Sequence, residues 1–261
     1  METAKIADLE QKKKKKSVKT TNNMELVFDK KEHLYTLDGR LITGVTTILS
    51  VIAKPALIQW SANEAVNYVK EHVGTEEDMG PSLWTKRIMW QEWDKLLEEA
   101  RFAHRRKKDN AADIGTRAHK WIEQYIKSPD LVPEKDLSIM TDNFVKWAEE
   151  SKVKFLESEV MVYDSDLFYA GTLDFVAEIG GKKFIGDIKT GSGIYPEHFY
   201  QVAAYRNAWE KMGREKLDGA VIVNITKKGE LKVEYSYFYQ EDFEAFCGAL
   251  KIYRRQQKVT N

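Results

Sequence analysis

The stretch that decides the fold reads GTLDFVAEIGGKKFIGDIKT and runs from Gly171 to Thr190. Two β-prone runs flank Gly180-Gly181 in the middle of this stretch. A two-residue glycine loop suits a tight hairpin, because both loop positions require a positive φ. The pattern therefore predicts two antiparallel strands, over 168–179 and 182–189.

This predicted hairpin brings charged side chains together. With the turn at the glycine pair, Asp174 faces Asp187, and Lys189 shares a face with Asp187 because strand side chains alternate. Like charges that face each other destabilise a strand pair. The two aspartates therefore call for a compensating cation, and Mg²⁺ or Mn²⁺ with oxygen ligands is the natural candidate. The alternative is a solvated hairpin whose charges happen to face each other.

Two helical patterns add polar side chains outside the hairpin. Gly115 and His119 are one turn apart on a helix, where the imidazole can serve as a metal ligand. A glycine inside a helix costs about 1 kcal/mol relative to alanine, which a closely approaching substrate backbone would explain. Gln201 and Tyr205 share a helix face four residues apart and can bind phosphate or water. Ordinary surface or core positions are the alternative for all four residues.

The ordered set of motifs resembles the RecB-type branch of the PD-(D/E)XK nuclease superfamily, with a phage-type, exonuclease-like member as the best match. That family combines a helical Gly-Thr-x-x-His, a strand Glu, Gly-x-x-Asp, Asp-x-Lys and a helical Gln-x-x-x-Tyr. The corresponding residues here are Gly115-Thr116-Arg117-Ala118-His119, Glu159, Gly171-Thr172-Leu173-Asp174, Asp187-Ile188-Lys189 and Gln201-Val202-Ala203-Ala204-Tyr205. The opening His33-x-Tyr35, Asp38-Gly39 and Gly44-Val45-Thr46-Thr47-Ile48-Leu49 also resembles phage-encoded members.

The resemblance implies an α/β (α+β) fold with a mixed central β-sheet flanked by helices, a helical insertion and a small N-terminal β-meander. It implies a Mg²⁺- or Mn²⁺-dependent phosphodiesterase in DNA recombination or repair, acting as an exonuclease or flap-type nuclease. The implied metal ligands are His119, Asp174, Asp187 and the backbone carbonyl of Ile188, with Glu159 as a further candidate. Lys189 would position or deprotonate the attacking water, and Gln201 and Tyr205 would hold the scissile strand.

Candidate nucleic-acid contacts form a second group. A basic cluster precedes the His119 helix, and Thr116 and Thr190 lie beside motif residues. We expect these side chains to face a DNA path: Arg101, Arg105, Arg106, Lys107, Lys108, Thr116 and Thr190. Three alternative functions stay open: an endonuclease, an enzyme acting on RNA, and a non-catalytic nucleic-acid-binding subunit of a recombination complex. A recombination or single-strand-binding protein is a further candidate partner.

The charge is unevenly distributed although the chain is formally neutral. Residues 1–23 contain seven lysines against three acidic residues, which leaves the remainder mildly acidic. The sequence predicts a disordered Lys-rich tail over 1–23 and a single nuclease domain over 24–261. Within that domain we expect a β-meander and helix over 24–54, a mainly helical region over 55–150, and the core sheet and helices over 151–261.

Composition excludes several other classes of protein. Cys247 is the single cysteine, so a disulfide scaffold and a cysteine zinc site within the chain are excluded. No apolar run approaches the roughly 20 residues of a membrane helix, and the Lys-rich start is unlike a secretory signal. We therefore expect a cytoplasmic protein with no membrane contact, and the resemblance implies a bacterial or phage-infected cell and DNA as the partner.

Finer patterns predict the remaining elements. Apolar alternation predicts strands over 25–37 and 41–45, and a helix over 48–53 that Pro55 limits. Residues 57–127 have a helical pattern interrupted at Gly74 and Gly80-Pro81. Further helices are expected over 113–126, 137–151 and 196–212, and further strands over 153–163, 219–226 and 231–239.

Overall fold

The computed structural model describes residues 15–19, 24–73 and 90–260. Its strands are β1 (Lys15–Lys19), β2 (Glu25–Asp29), β3 (Leu34–Leu37), β4 (Arg40–Gly44), β5 (Lys154–Asp164), β6 (Tyr169–Ile179), β7 (Lys182–Lys189), β8 (Gly219–Ile225) and β9 (Leu231–Ser236). Its described helices are α1 (Val45–Leu49), α2 (Pro55–Val73), α3 (Trp90–Arg101), α4 (Ala103–Lys127), α5 (Ser138–Glu150), α6 (Pro196–Lys211) and α7 (Tyr239–Thr260). A mixed sheet flanked by helices is therefore confirmed.

The described strands form one sheet in which β6 is the central element. The order is β1-β2-β3-β4-β6-β7-β8-β9, and β5 pairs with the other edge of β6. The β4–β6 and β7–β8 pairs are parallel, and the other pairs are antiparallel. On one edge of β6, strand β4 pairs at Tyr169 and Ala170, whereas β7 pairs only from Phe175 onward. Residues 171–174 lie between these two ladders, where β4 and β7 diverge.

The hairpin β6–β7 has the predicted register. Phe175 pairs with Gly186 and Ile179 with Lys182. Gly180 and Gly181 form the turn with φ of 59° and 76°, in the left-handed region that favours glycine. The residues on either side of the hairpin therefore stand where the sequence predicts them.

The N-terminal segment differs from the prediction. The sequence predicts disorder over 1–23, but Lys15–Lys19 is a strand that pairs antiparallel with β2, with Ser17 opposite Val27. Main-chain hydrogen bonds hold such a strand without apolar side chains, and lysines are common on exposed sheet edges. The other residues of that segment lie outside the described residues. The meander expected from the following residues is confirmed as β2, β3 and β4.

The chain divides into two compact units rather than the single domain expected over 24–261. One unit contains the residues up to Ile52 together with those from Arg117 onward, and the other is Ala53–Thr116. The described part of the region expected to be mainly helical over 55–150 is helical, and the boundary between the two units falls within it. Helix α5 belongs to the sheet unit because its Phe144 is fully buried and stacks on Phe155 of β5, with ring centroids 6.0 Å apart.

Helices α1, α6 and α7 contribute to the core of the sheet unit. Phe246 of α7 packs edge-on against Tyr169 of β6 with ring centroids 4.8 Å apart, and Trp209 of α6 lies in the same buried cluster. The sequence reading missed α7, although Phe243, Phe246 and Leu250 recur at helical spacing.

Other helix boundaries also differ from expectation. Helix α1 begins at Val45 rather than Ile48. Pro55 is the first residue of α2, a position where its missing amide costs no hydrogen bond. Predicted breaks at Gly74 and Gly80-Pro81 lie outside the described residues. Among the helices that the structure describes, none has the length and apolar character needed to cross a membrane.

Candidate active site

Asp174 lies where β7 separates from β6. Beyond the last ladder pair, Oδ2 of Asp174 accepts a hydrogen bond of 2.7 Å from the backbone N–H of Ile188. Burial raises the pKa of Asp174, and the nearby Asp187 carboxylate raises it further, to about 6, against the opposing effects of His119, Lys189 and that backbone N–H. The charged form of Asp174 is therefore disfavoured in the folded protein, as expected for facing carboxylates.

Asp187 and Lys189 form a buried ion pair on β7. Nζ of Lys189 lies 2.7 Å from Oδ2 of Asp187, whose side chain is only 2% exposed. Among the described residues, this ammonium group is the partner found for that buried oxygen. Burial lowers the pKa of Lys189, but the Asp187 and Asp174 carboxylates outweigh it and raise the pKa above its ordinary value. Lys189 is therefore held as an ammonium group.

The amide of Gln201 joins the members of this pair. Its Oε1 accepts from Nζ of Lys189 at 3.0 Å, and its Nε2 donates to Oδ1 of Asp187 at 2.9 Å. The same Nε2 lies 3.0 Å from the hydroxyl of Tyr205. The network fixes the amide orientation, since the ammonium needs an acceptor and the carboxylate needs a donor. Gln201 is thus a clamp on Asp187 and Lys189.

Tyr205 completes the clamp from within the protein. Its side chain lies so close to Gly171 that a Cβ added there would be 2.3 Å from Cε1 of the ring. Gly171 is therefore required for the approach of Tyr205 to β6. Burial, with Asp187 the next cause, raises the pKa of Tyr205 well above its ordinary value, so the hydroxyl keeps its proton. Tyr205 and Gln201 are 3% and 9% exposed, which suits side chains that position others better than side chains that hold a DNA strand.

His119 reaches the same site from α4. Its Nδ1 lies 3.7 Å from Oδ2 of Asp174, beyond hydrogen-bond distance but within ion-pair distance. The structure thus brings together His119, Asp174, Asp187 and Lys189, with the backbone of Ile188 beside Asp174. Across residues 15–19, 24–73 and 90–260, no group of three or more His, Cys, Asp or Glu side chains is arranged to hold a metal ion.

The donor chemistry nevertheless fits a hard divalent cation. Two carboxylates, an imidazole and the main chain at Ile188 supply oxygen and nitrogen ligands of the kind that Mg²⁺ and Mn²⁺ accept. Asp174 accepts a hydrogen bond from the backbone of Ile188, and Asp187 accepts one from Gln201.

Two further contacts at this site were not expected from the sequence. The hydroxyl of Tyr35 on β3 lies 2.9 Å from Oγ1 of Thr172, two residues before Asp174. Nζ of Lys16 on β1 donates to Oε2 of Glu159 at 2.8 Å. The pattern His33-x-Tyr35 was the available signal for the first contact. The sequence gives no signal for the second contact, because a run of lysines does not indicate which of them lies near Glu159.

The basic cluster lies in the unit Ala53–Thr116, and part of it serves that unit. Arg106 donates to the backbone oxygen of Glu99 at 2.9 Å and lies over the ring of Tyr68. Lys107 pairs with the buried Glu64. The expectation that all five basic residues face a nucleic-acid path stays a prediction, and the head groups of these two also join α4 to α2 and α3.

The other side chains expected to contact nucleic acid make only local contacts among the described residues, or lie at the surface. Arg101 and Arg105 both lie over the ring of Phe102, and Arg101 is also 3.5 Å from Glu98. Thr116 uses its hydroxyl for a 2.8 Å hydrogen bond to Ala112 of its own helix. Lys108 is exposed and Thr190 is half-buried.

Comparisons with known proteins add little. No family model matches the chain, and no curated protein matches it. A solved structure described as the crystal structure of SSO0001 is similar over 77% of this chain and 87% of that chain, with 12% identity and a TM-score of 0.35.

Proposed function

We propose that this chain is a metal-dependent deoxyribonuclease of the RecB-type PD-(D/E)XK class that hydrolyses phosphodiester bonds at DNA ends or in single strands. The observation that carries the proposal is the buried Asp187–Lys189 ion pair beside Asp174. Buried charges cost stability unless they are paired. A site that concentrates three of them is typical of catalysis.

The residues divide into metal ligands and positioning groups. His119, Asp174, Asp187 and the carbonyl of Ile188 would hold Mg²⁺ or Mn²⁺. When bound, such an ion activates water for attack on phosphorus and neutralises phosphate charge. The ammonium of Lys189 places a fixed positive charge where negative charge develops on phosphate oxygens.

Gln201 acts through Lys189 and Asp187. One amide binds the ammonium and the carboxylate together, so neither can rotate without losing a hydrogen bond. Tyr205 holds that amide in turn. Preorganised charge costs no reorganisation during the reaction, and this is what gives such charges their effect on rate.

The test is a cleavage assay on four substrates with Mg²⁺ or Mn²⁺: end-labelled linear DNA, flapped DNA, circular single-stranded DNA and RNA. The proposal expects cleavage of linear or flapped DNA by the parent chain and none by Asp187→Asn. Asp218→Asn is the matched control, since Asp218 is exposed and binds the backbone of Lys183 outside the site. Cleavage of circles would indicate an endonuclease. Binding without cleavage of any substrate would indicate a nucleic-acid-binding subunit instead.

A further inference from the structure

Glu159 occupies an unusual position in β5. Its neighbours Ser158 and Val160 pair with Phe175 and Leu173 of β6, so Glu159 stands opposite Asp174. Its φ of 53° is in the left-handed region, which costs an L-residue roughly 1–2 kcal/mol. Strained backbone of this kind tends to occur at functional positions. The backbone of Glu159 therefore lies across the β5–β6 ladder from the candidate metal ligand Asp174.

The charge that meets Glu159 comes from another part of the chain. Nζ of Lys16 lies 2.8 Å from Oε2 of Glu159, and the two side chains are 30% and 28% exposed. Strand β1 positions this lysine through its ladder with β2, in which Lys16 pairs with Phe28.

Lys16 also acts on a second acidic side chain. Burial opposes it, but the ammonium groups of Lys127 and Lys16 hold the pKa of Glu123 below its usual range. Glu123 is one turn beyond His119 on α4. At the border of the candidate active site, Lys16 therefore pairs with Glu159 and its charge also acts on Glu123.

We propose that the ammonium group of Lys16 occupies the cation position at Glu159, so that the intact chain binds one divalent cation, at Asp174 and Asp187. This inference rests on the proposed function. Two-metal phosphodiesterases hold their ions about 3.5–4 Å apart. An ammonium group paired with Glu159 neutralises that carboxylate, and its positive charge repels a second divalent cation. Lys16 is thus a positioning residue that sets metal stoichiometry.

Calorimetric titration of Mn²⁺ into the full chain tests this, with electron paramagnetic resonance to separate isolated from paired Mn²⁺. The parent should bind one ion, and Lys16→Met should bind two. Lys16→Arg keeps the positive charge and should bind one. Lys31→Met is the matched control and should also bind one, because Lys31 is an exposed lysine in the turn between β2 and β3 and pairs with Glu32.

A double variant tests the partner of Lys16. Adding Glu159→Gln to Lys16→Met should return the stoichiometry to one, since the released carboxylate is then absent. Thermal melting checks that each variant is folded. One ion in Lys16→Met, or two in the parent, would overturn the inference and leave the nuclease proposal standing. A parent chain that binds no Mn²⁺ and cleaves no DNA would overturn the proposed function itself.

Discussion

The hairpin β6–β7 and the segment Ala53–Thr116 use charge in opposite ways. In the hairpin, Asp187 and Lys189 are 2% and 22% exposed and are held by other buried polar groups. In the helical segment, Arg101 and Lys107 are 71% and 56% exposed. Exposed charges cost little and their ion pairs contribute about 0–1 kcal/mol, whereas buried charges require compensation. Burial, more than the number of charges, therefore distinguishes the candidate active site from the basic cluster of the helical segment.

The largest expected effect is on the chemical step. Lys189→Ala should lower the single-turnover cleavage rate by roughly 10²–10³-fold, because it removes a preorganised charge that acts on the transition state. DNA binding measured without divalent cation should remain near the parent value. Lys183→Ala is the matched control on the same strand, since Lys183 pairs with Glu215 at the surface. If Lys189→Ala cleaved DNA at the parent rate, the buried lysine of β7 would have no greater effect on the cleavage rate than the exposed one.

The same contrast explains which features the sequence could predict. The glycine turn and strand alternation are local, so the register of β6–β7 and the meeting of Asp174, Asp187 and Lys189 followed from them. The contact between Gly171 and Tyr205 required knowledge of how α6 packs on β6. Residues distant in sequence, such as Lys16 and Glu159, meet only through the tertiary fold.

The contacts of the basic residues in the helical segment could not be predicted from the sequence, for a related reason. A run of basic residues looks uniform in sequence, but Arg106 and Lys107 contact Glu99 and Glu64 while Arg105 does not. These roles depend on which face of α4 meets α2 and α3. The division of the chain at Ile52 and Arg117 likewise has no local signal, because α4 continues through it.

An intermediate effect is expected on stability as a function of pH. The folded pKa of Asp174 is about 6, above the ordinary 3.8, so the protonated form stabilises the folded state. That contribution is complete below about pH 4 and is lost as pH rises through 6, by at most about 3 kcal/mol. In metal-free buffer, Asp174→Asn should therefore match the parent near pH 4 and be more stable than it at pH 8.

Urea unfolding at both pH values, in chelator, measures this difference. Mg²⁺ should raise the stability of the parent at pH 8 because it relieves the repulsion between Asp174 and Asp187. Asp218→Asn is the control and should keep the pH dependence of the parent. An Asp174→Asn variant that is less stable than the parent at pH 8 would show that the hydrogen bond from Ile188 outweighs the repulsion.

The smallest effect should separate two neighbouring arginines of α4. Arg105 touches only the ring of Phe102 in the contacts described, whereas Arg106 binds the backbone of Glu99 and the ring of Tyr68. Both substitutions remove a ring contact, but only Arg106→Ala also removes a hydrogen bond, so it should lower the free energy of unfolding by about 1 kcal/mol more than Arg105→Ala. If Arg105 contacts DNA phosphate, its loss should weaken binding and reduce the salt dependence by about one counterion. Binding isotherms at several salt concentrations, with chemical unfolding of both variants, measure the two effects separately. Equal effects of the two substitutions on stability, with DNA binding unchanged at every salt concentration, would mean that this helix face supports only its own unit.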